Sequence, residues 1–104
     1  MLKEDQIKRN SFMRKTIKVE YKKLGKKKLW AQALFETNTI ELDVRAKGKK
    51  HLELLNHEGL HILLPTLNED EIVRISTSLT DLLWKENYRR TDINEDTPMQ
   101  DGDF

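Results

Sequence analysis

The spacing of apolar residues predicts three strands in the first half of the chain. From Thr16 apolar and polar residues alternate, with Ile17, Val19 and Tyr21 on one face, which is typical of a half-buried strand. A second apolar stretch covers residues 29–36. A third, residues 40–44, alternates again, and we expect its apolar residues to face inward and its two acids outward: Ile40, Leu42 and Val44 against Glu41 and Asp43. The turn sequence Thr-Asn-Thr between these last two stretches predicts a β-hairpin.

After residue 46 the apolar period changes from two residues to about 3.6, which indicates helices. The first predicted helix covers residues 47–64 and ends before Pro65, because proline cannot continue a helix. Asn68 is a suitable N-cap for a second helix, predicted to continue to about Tyr88. Three strands followed by two helices predict an α+β domain. We expect a small antiparallel sheet of about three strands with both main helices on one of its faces.

Length and composition restrict the possible classes of protein. A chain of 104 residues forms one domain, which we expect at residues 15–90, between a polar N-terminal arm (1–14) and an acidic, disordered tail (91–104). With no cysteine, disulfides and thiolate metal sites are excluded, so a metal would have to bind His, Asp or Glu. No apolar run is long enough for a membrane span or a signal peptide, so we expect a cytoplasmic protein.

The two halves of the chain carry opposite charge. Residues 1–50 contain 15 Lys and Arg against 6 acids, whereas residues 51–104 contain 4 against 12. The basic half could attract nucleic acid as a partner. However, no aromatic residue alternates with Lys47, Lys49 and Lys50, as platforms for nucleic acid require. The pattern therefore favours a solvated basic surface.

The first predicted helix contains the sequence His57-Glu58-Gly-Leu-His61. Two histidines four residues apart project from one helix face at a separation that suits a zinc ion. The glutamate between them lies about 100° round the helix, close enough to take a proton from a metal-bound water without being a ligand. The histidines lie opposite the apolar side of the helix, which is formed by Leu52, Leu55, Gly59, Ile62 and Leu63. His51 lies away from both histidines, and we expect it on the solvated surface.

A third zinc ligand is required, because two histidines leave the site too open. The start of the second helix offers Glu69, Asp70 and Glu71. By helical geometry Asp70 points into solvent, whereas Glu69 and Glu71 flank the apolar face on either side. Glu71 also completes a capping box with Asn68, which would occupy its carboxylate, and Glu69 could do the same with Thr66. The residues themselves leave Glu69 and Glu71 as alternatives.

Residues 37–65, with the helix that follows at 67–90, resemble the strand and active-site helix of minimal HExxH zincin metallopeptidases, small gluzincin-like or ImmA/IrrE-like proteins of bacteria and phages. The resemblance implies a zinc metallopeptidase of peptides or proteins. His57, His61 and Glu71 would be its metal ligands and Glu58 its general base. It also implies that the strand at 39–44 is an edge strand beside the cleft, able to pair with an extended peptide.

Two departures from this family leave a second function open. Leu64 and Leu67 stand where the metzincin extension has Gly and a third His, and only Tyr88 is a candidate to stabilise an oxyanion. The alternative is a catalytically silent zincin-fold module that binds a protein or nucleic-acid partner. Trp30 and Trp84 are expected to be core or rim aromatics.

Overall fold

The computed structural model describes residues 14–91, which form three strands and two helices. The predicted arm and tail lie outside the described residues, apart from Arg14 and Thr91. In chain order the elements are β1 (Lys18–Lys22), β2 (Ala31–Leu34), β3 (Thr39–Asp43), α1 (Gly48–Leu63) and α2 (Glu69–Lys85). Short 3-10 turns at Gly25–Lys27 and Phe35–Thr37 join the strands. The predicted α+β class, with three strands and two helices, is confirmed.

The strands lie in the order β1-β3-β2, so the last strand is the central one. β2 and β3 pair antiparallel as the predicted hairpin, and Asn38 adopts a left-handed conformation (φ 50°) at its turn. β1, however, pairs parallel with β3, so the sheet is mixed rather than antiparallel throughout. The connection from β1 leads to β2, which is not its neighbour in the sheet, and β3 lies between the two. The expectation that residues 39–44 form an edge strand is therefore wrong, because β3 is hydrogen-bonded on both sides.

Every residue of β3 is buried, including the two acids that the alternating pattern placed outside. Glu41 accepts a hydrogen bond from Gln32 of β2 (2.7 Å) and pairs with Lys22 of β1 (3.0 Å). Asp43 is only 1% exposed, and its carboxylate accepts the backbone N–H of Leu24 (2.7 Å). Neighbouring strands thus cover the polar side chains of β3, which an isolated strand would expose to water.

α1 packs on the sheet and supplies most of the helical part of the core. Ile62 joins Ile40 and Leu42 as fully buried side chains, each stabilising the fold by about 1.5–3 kcal/mol. Gly59 also faces the sheet, since a Cβ added there would lie 3.8 Å from Cδ1 of Ile40. Around them lie partly buried apolar residues: Ile17, Ala31, Ala33, Leu54 and Leu55. Val19, Tyr21, Val44 and Leu63, which the apolar pattern placed inside, are partly exposed.

α2 packs along α1, and the two predicted helix boundaries nearest the site are confirmed. α1 ends at Leu63, before Pro65, and Asn68 caps α2. A hydrogen bond from Asn56 Nδ2 to Thr80 Oγ1 (2.9 Å) joins the helices along their length. Neither helix of the described residues is long and apolar enough to cross a membrane.

Candidate metal centre

The two histidines of the HEGLH sequence lie side by side near the C-terminal end of α1. Their ring centroids are 4.9 Å apart and the rings are inclined at 66°. The side chains of His57 and His61 are 21% and 25% exposed, so both imidazoles are partly accessible to solvent. One turn of helix therefore places two nitrogen donors at the mouth of the α1–α2 junction, as the sequence predicts.

Glu69, the first residue of α2, brings a carboxylate to both histidines. Its Oε2 lies 3.1 Å from Nε2 of His57, and its Oε1 lies 2.9 Å from Nε2 of His61. One donor atom from each of the three residues lies within 4.8 Å of the others. The two nitrogen–oxygen distances are those of hydrogen bonds between the imidazoles and the carboxylate, and they are shorter than the separation of about 3.3 Å between ligands of a tetrahedral zinc ion. With small side-chain shifts the three residues could hold a metal ion.

Glu71, the ligand implied by the resemblance, lies outside this donor group. Its carboxylate accepts the backbone N–H of Asn68 (2.9 Å), and the Asn68 side chain accepts the N–H of Glu71 (2.8 Å). This capping box directs Glu71 back along its own chain. Glu69 precedes it by two residues, about 200° round the helix, and so faces α1. The structure thus brings together the donors of His57, His61 and Glu69.

Glu58 lies beside the histidines but is not one of the three donors. Burial raises the pKa of the Glu58 carboxyl, and the nearby Glu69 carboxylate raises it further, while His57 and His61 oppose the rise. A partly buried carboxyl next to the donor group is well placed to exchange a proton with a molecule held there. The role of Glu58 as general base stays a prediction.

His51 is buried, although its position on the helix suggested a solvated residue. The Tyr21 hydroxyl lies 2.8 Å from its Nε2, and the two rings stack 5.9 Å apart. Burial lowers the pKa of His51, and the nearby charge of Arg90 lowers it further. His51 lies six residues before His57, about 9 Å along the helix, and takes no part in the donor group.

Tyr88, the sequence candidate for oxyanion stabilisation, follows the end of α2 opposite to Glu69. The 17 residues of α2 span about 25 Å, and Tyr88 is exposed. The other tyrosine is bonded to His51. Neither tyrosine of the chain therefore lies at the donor group.

Comparisons of the chain with protein-family models, curated proteins and solved structures found no match. The function of the chain is therefore inferred from the three donors, their separations and the neighbouring carboxyl of Glu58.

Proposed function

We propose that this chain is a minimal zinc-dependent metallopeptidase domain. The observation that carries the proposal is the convergence of His57, His61 and Glu69 within 4.8 Å, with the partly buried carboxyl of Glu58 as a fourth group next to them in the chain. Two imidazoles and one carboxylate leave a tetrahedral zinc ion one open position, which is the arrangement of catalytic rather than structural sites. Glu69 takes the place that the resemblance gave to Glu71.

When bound by these donors, zinc would polarise a carbonyl oxygen and lower the pKa of a water molecule. The chain's own residues supply the remaining steps. Glu58, next to the ligands but not among them, accepts the proton of the attacking water and passes it to the leaving amine.

The substrate class that we propose is a peptide in extended conformation. β3 is central and cannot accept an additional strand, whereas β2 pairs with β3 alone among residues 14–91 and lies against α1. Within that range the outer side of β2 has no strand partner, so its backbone donors and acceptors form an edge beside the helix that carries the histidines. A peptide could pair there as a further strand. The role first expected of residues 39–44 is therefore assigned to Ala31–Leu34.

Replacement of Glu58 tests the proposal. Zinc-loaded parent protein should cleave members of a peptide library, detected by mass spectrometry. Glu58→Gln should bind zinc equally well but cleave at least about 10²-fold more slowly, the usual scale of general-base catalysis. Glu53→Gln is the matched control, because Glu53 is an exposed glutamate on the same helix. Equal cleavage by Glu58→Gln and Glu53→Gln would contradict the role of Glu58.

The second candidate is a zinc-binding module without hydrolase activity. It is favoured by the positions of Tyr21, Tyr88 and His51, none of which is at the donor group. A parent protein that binds zinc and cleaves no peptide of the library, with partners that Glu58→Gln retains, would support this alternative over the peptidase.

A further inference from the structure

A cluster of exposed cations lies at the end of the sheet where β1 and β3 finish, and two of them lie over the ring of Trp30. We call this cluster, formed by Lys23, Lys26, Arg45 and Lys50 with Trp30, the Trp30 patch. Its members come from the chain after β1, the chain after β3 and the first turn of α1. The patch borders a concavity of about 500 Å³, lined by Lys23, Gly25, Lys26, Asp43, Val44 and Arg45. Three of these lining residues are basic and one is acidic.

Arg45 is held in this patch by an ion pair and by the Trp30 ring. Its Nε donates to Oδ1 of Asp43 (2.6 Å), and its guanidinium carbon lies 4.2 Å from the centroid of the Trp30 ring. The same guanidinium passes 3.5 Å from the position of a Cβ on Gly25. Among residues 14–91 the Nη1 and Nη2 atoms donate no hydrogen bond, so four N–H donors of an ordered guanidinium remain free for an anion.

Lys50 adds a second ordered charge. Its Nζ lies 4.4 Å from the Trp30 centroid, so the indole holds two cationic groups at once. Lys50 belongs to the first turn of α1, which contains no acidic residue and no side-chain cap. The positive end of the helix dipole therefore adds to the charge of the patch instead of being neutralised.

Asp43, the acidic residue that lines the concavity, already accepts hydrogen bonds from neighbouring groups. Both oxygens of Asp43 accept hydrogen bonds, Oδ2 from Leu24 N–H and Oδ1 from Arg45, and its side chain is buried. In the part of the chain that the structure describes, Lys23, Lys26 and Lys50 have no ion-pair partner within 4 Å. Three further lysines that adjoin the patch residues in the sequence are also exposed: Lys27, Lys28 and Lys47. The local excess of positive charge is therefore available to a partner.

From this arrangement we infer that the Trp30 patch binds single-stranded nucleic acid. Free guanidinium and ammonium donors suit successive phosphates, and the Arg45 guanidinium, which lies over the 38% exposed indole of Trp30, offers a flat surface on which an unpaired base can stack. The sequence lacked an aromatic residue near the lysines of α1, and the fold supplies one. The patch lies at the opposite end of α1 from the histidines, about 16 Å from Lys50 to His61 along the axis. Nucleic-acid binding is therefore independent of the proposed metal site.

Fluorescence anisotropy with a labelled dT20 oligonucleotide tests this inference on the full chain. If four phosphates are contacted, the affinity should fall about 50-fold between 50 and 200 mM salt. Lys26→Glu combined with Lys50→Glu should weaken binding at least tenfold. Lys18→Glu combined with Arg74→Glu makes the same change of charge away from the patch and should have less than a twofold effect. Trp30→Ala should weaken binding about tenfold, because Arg45 and Lys50 would lose the ring that positions them.

Three results would overturn the inference. One is absence of dT20 binding at 50 mM salt. Another is an equal loss in both double variants, which would indicate attraction by net charge alone. The third is binding of phosphatidylserine vesicles without binding of dT20, which would assign the patch to a membrane surface. Circular dichroism of each variant separates lost binding from lost folding. His61→Ala should retain dT20 affinity, so this test succeeds or fails independently of the metallopeptidase proposal.

Discussion

Oε1 of Glu69 lies 2.9 Å from Nε2 of His61, although the two residues belong to different helices. Only residues 64–68 separate α1 from α2, and the Asn68 cap fixes the first turn of the second helix. This contact completes a donor group that neither helix forms alone. It also distinguishes between two glutamates that lie two positions apart in the sequence.

Exchanging each glutamate for glutamine should separate metal binding from capping. Glu69→Gln should weaken zinc strongly, because a neutral amide replaces an anionic oxygen donor. Glu71→Gln, the matched control, should retain zinc and change the stability of the fold by no more than about 1.5 kcal/mol, the upper range for one capping interaction. Competition with a chromophoric chelator measures the affinity, and thermal unfolding measures the stability.

Replacement of either histidine should reduce zinc binding at least as strongly as Glu69→Gln does. The parent should bind about one zinc ion per chain, and His57→Ala or His61→Ala should abolish that binding and the thermal stabilisation that zinc confers. A parent protein that remains metal-free and is not stabilised by added zinc would refute the metal site.

Gly59, between the two histidines in the sequence, should tolerate a methyl group. A Cβ there meets Ile40 at 3.8 Å, an ordinary contact distance, and the residue lies in the interior of α1. Gly59→Ala should therefore stabilise the metal-free protein by up to about 1 kcal/mol through helix propensity. Gly59→Leu has no such space and should destabilise it. Denaturant unfolding measures both, and a destabilising alanine would show that α1 is packed more tightly on the sheet.

The buried His51, hydrogen-bonded to Tyr21, should make stability depend on pH. The pKa of His51 is lowered by burial from the 6.5 of an unfolded chain, so the unfolded state binds the proton more readily. Stability should therefore decrease as the pH falls below about 6.5, and His51→Gln should remove this part of the decrease. Tyr21→Phe should cost about 0.5–1.5 kcal/mol at neutral pH through the lost hydrogen bond. Unfolding curves of parent and variants at several pH values provide the comparison.

Asp43 should contribute stability that acid removes. The side chain and backbone N–H of Arg45 lower the pKa of Asp43 from 3.8 to about 2. Because the folded pKa lies below the unfolded value, this contribution to stability is complete above about pH 4 and is lost as the pH falls from about 4 to about 2. Asp43→Asn should be less stable at neutral pH and should lack that part of the acid transition. Asp81→Asn, which removes an exposed ion pair with Lys49, is the control and should change little.

The helices and most of the candidate site could be predicted because their signals are local. The apolar period located α1 and α2, and four-residue spacing placed His57 and His61 on one face. The choice of Glu69 also had a local signal: Asn68-x-x-Glu71 is a capping box, which already assigns a different partner to the second glutamate.

The remaining errors concern contacts between distant segments. Alternation along β3 identifies its two faces but not its neighbours, so neither its central position nor the burial of Glu41 could be predicted from it. His51 is buried because Tyr21 of β1, thirty residues earlier, covers it. For the same reason Trp30 could not be associated with Arg45 and Lys50, which reach it only through the fold.

The length of the five-residue link between the helices determines whether the three donors come together. Packing such as the Asn56–Thr80 hydrogen bond fixes how α2 lies along α1, while the link determines where along α1 the second helix begins. One residue more or fewer would leave both helices intact and preserve every donor, yet would shift Glu69 relative to the two imidazoles. Chain length at residues 64–68 is thus as much a condition for the three-donor set as the identity of its side chains.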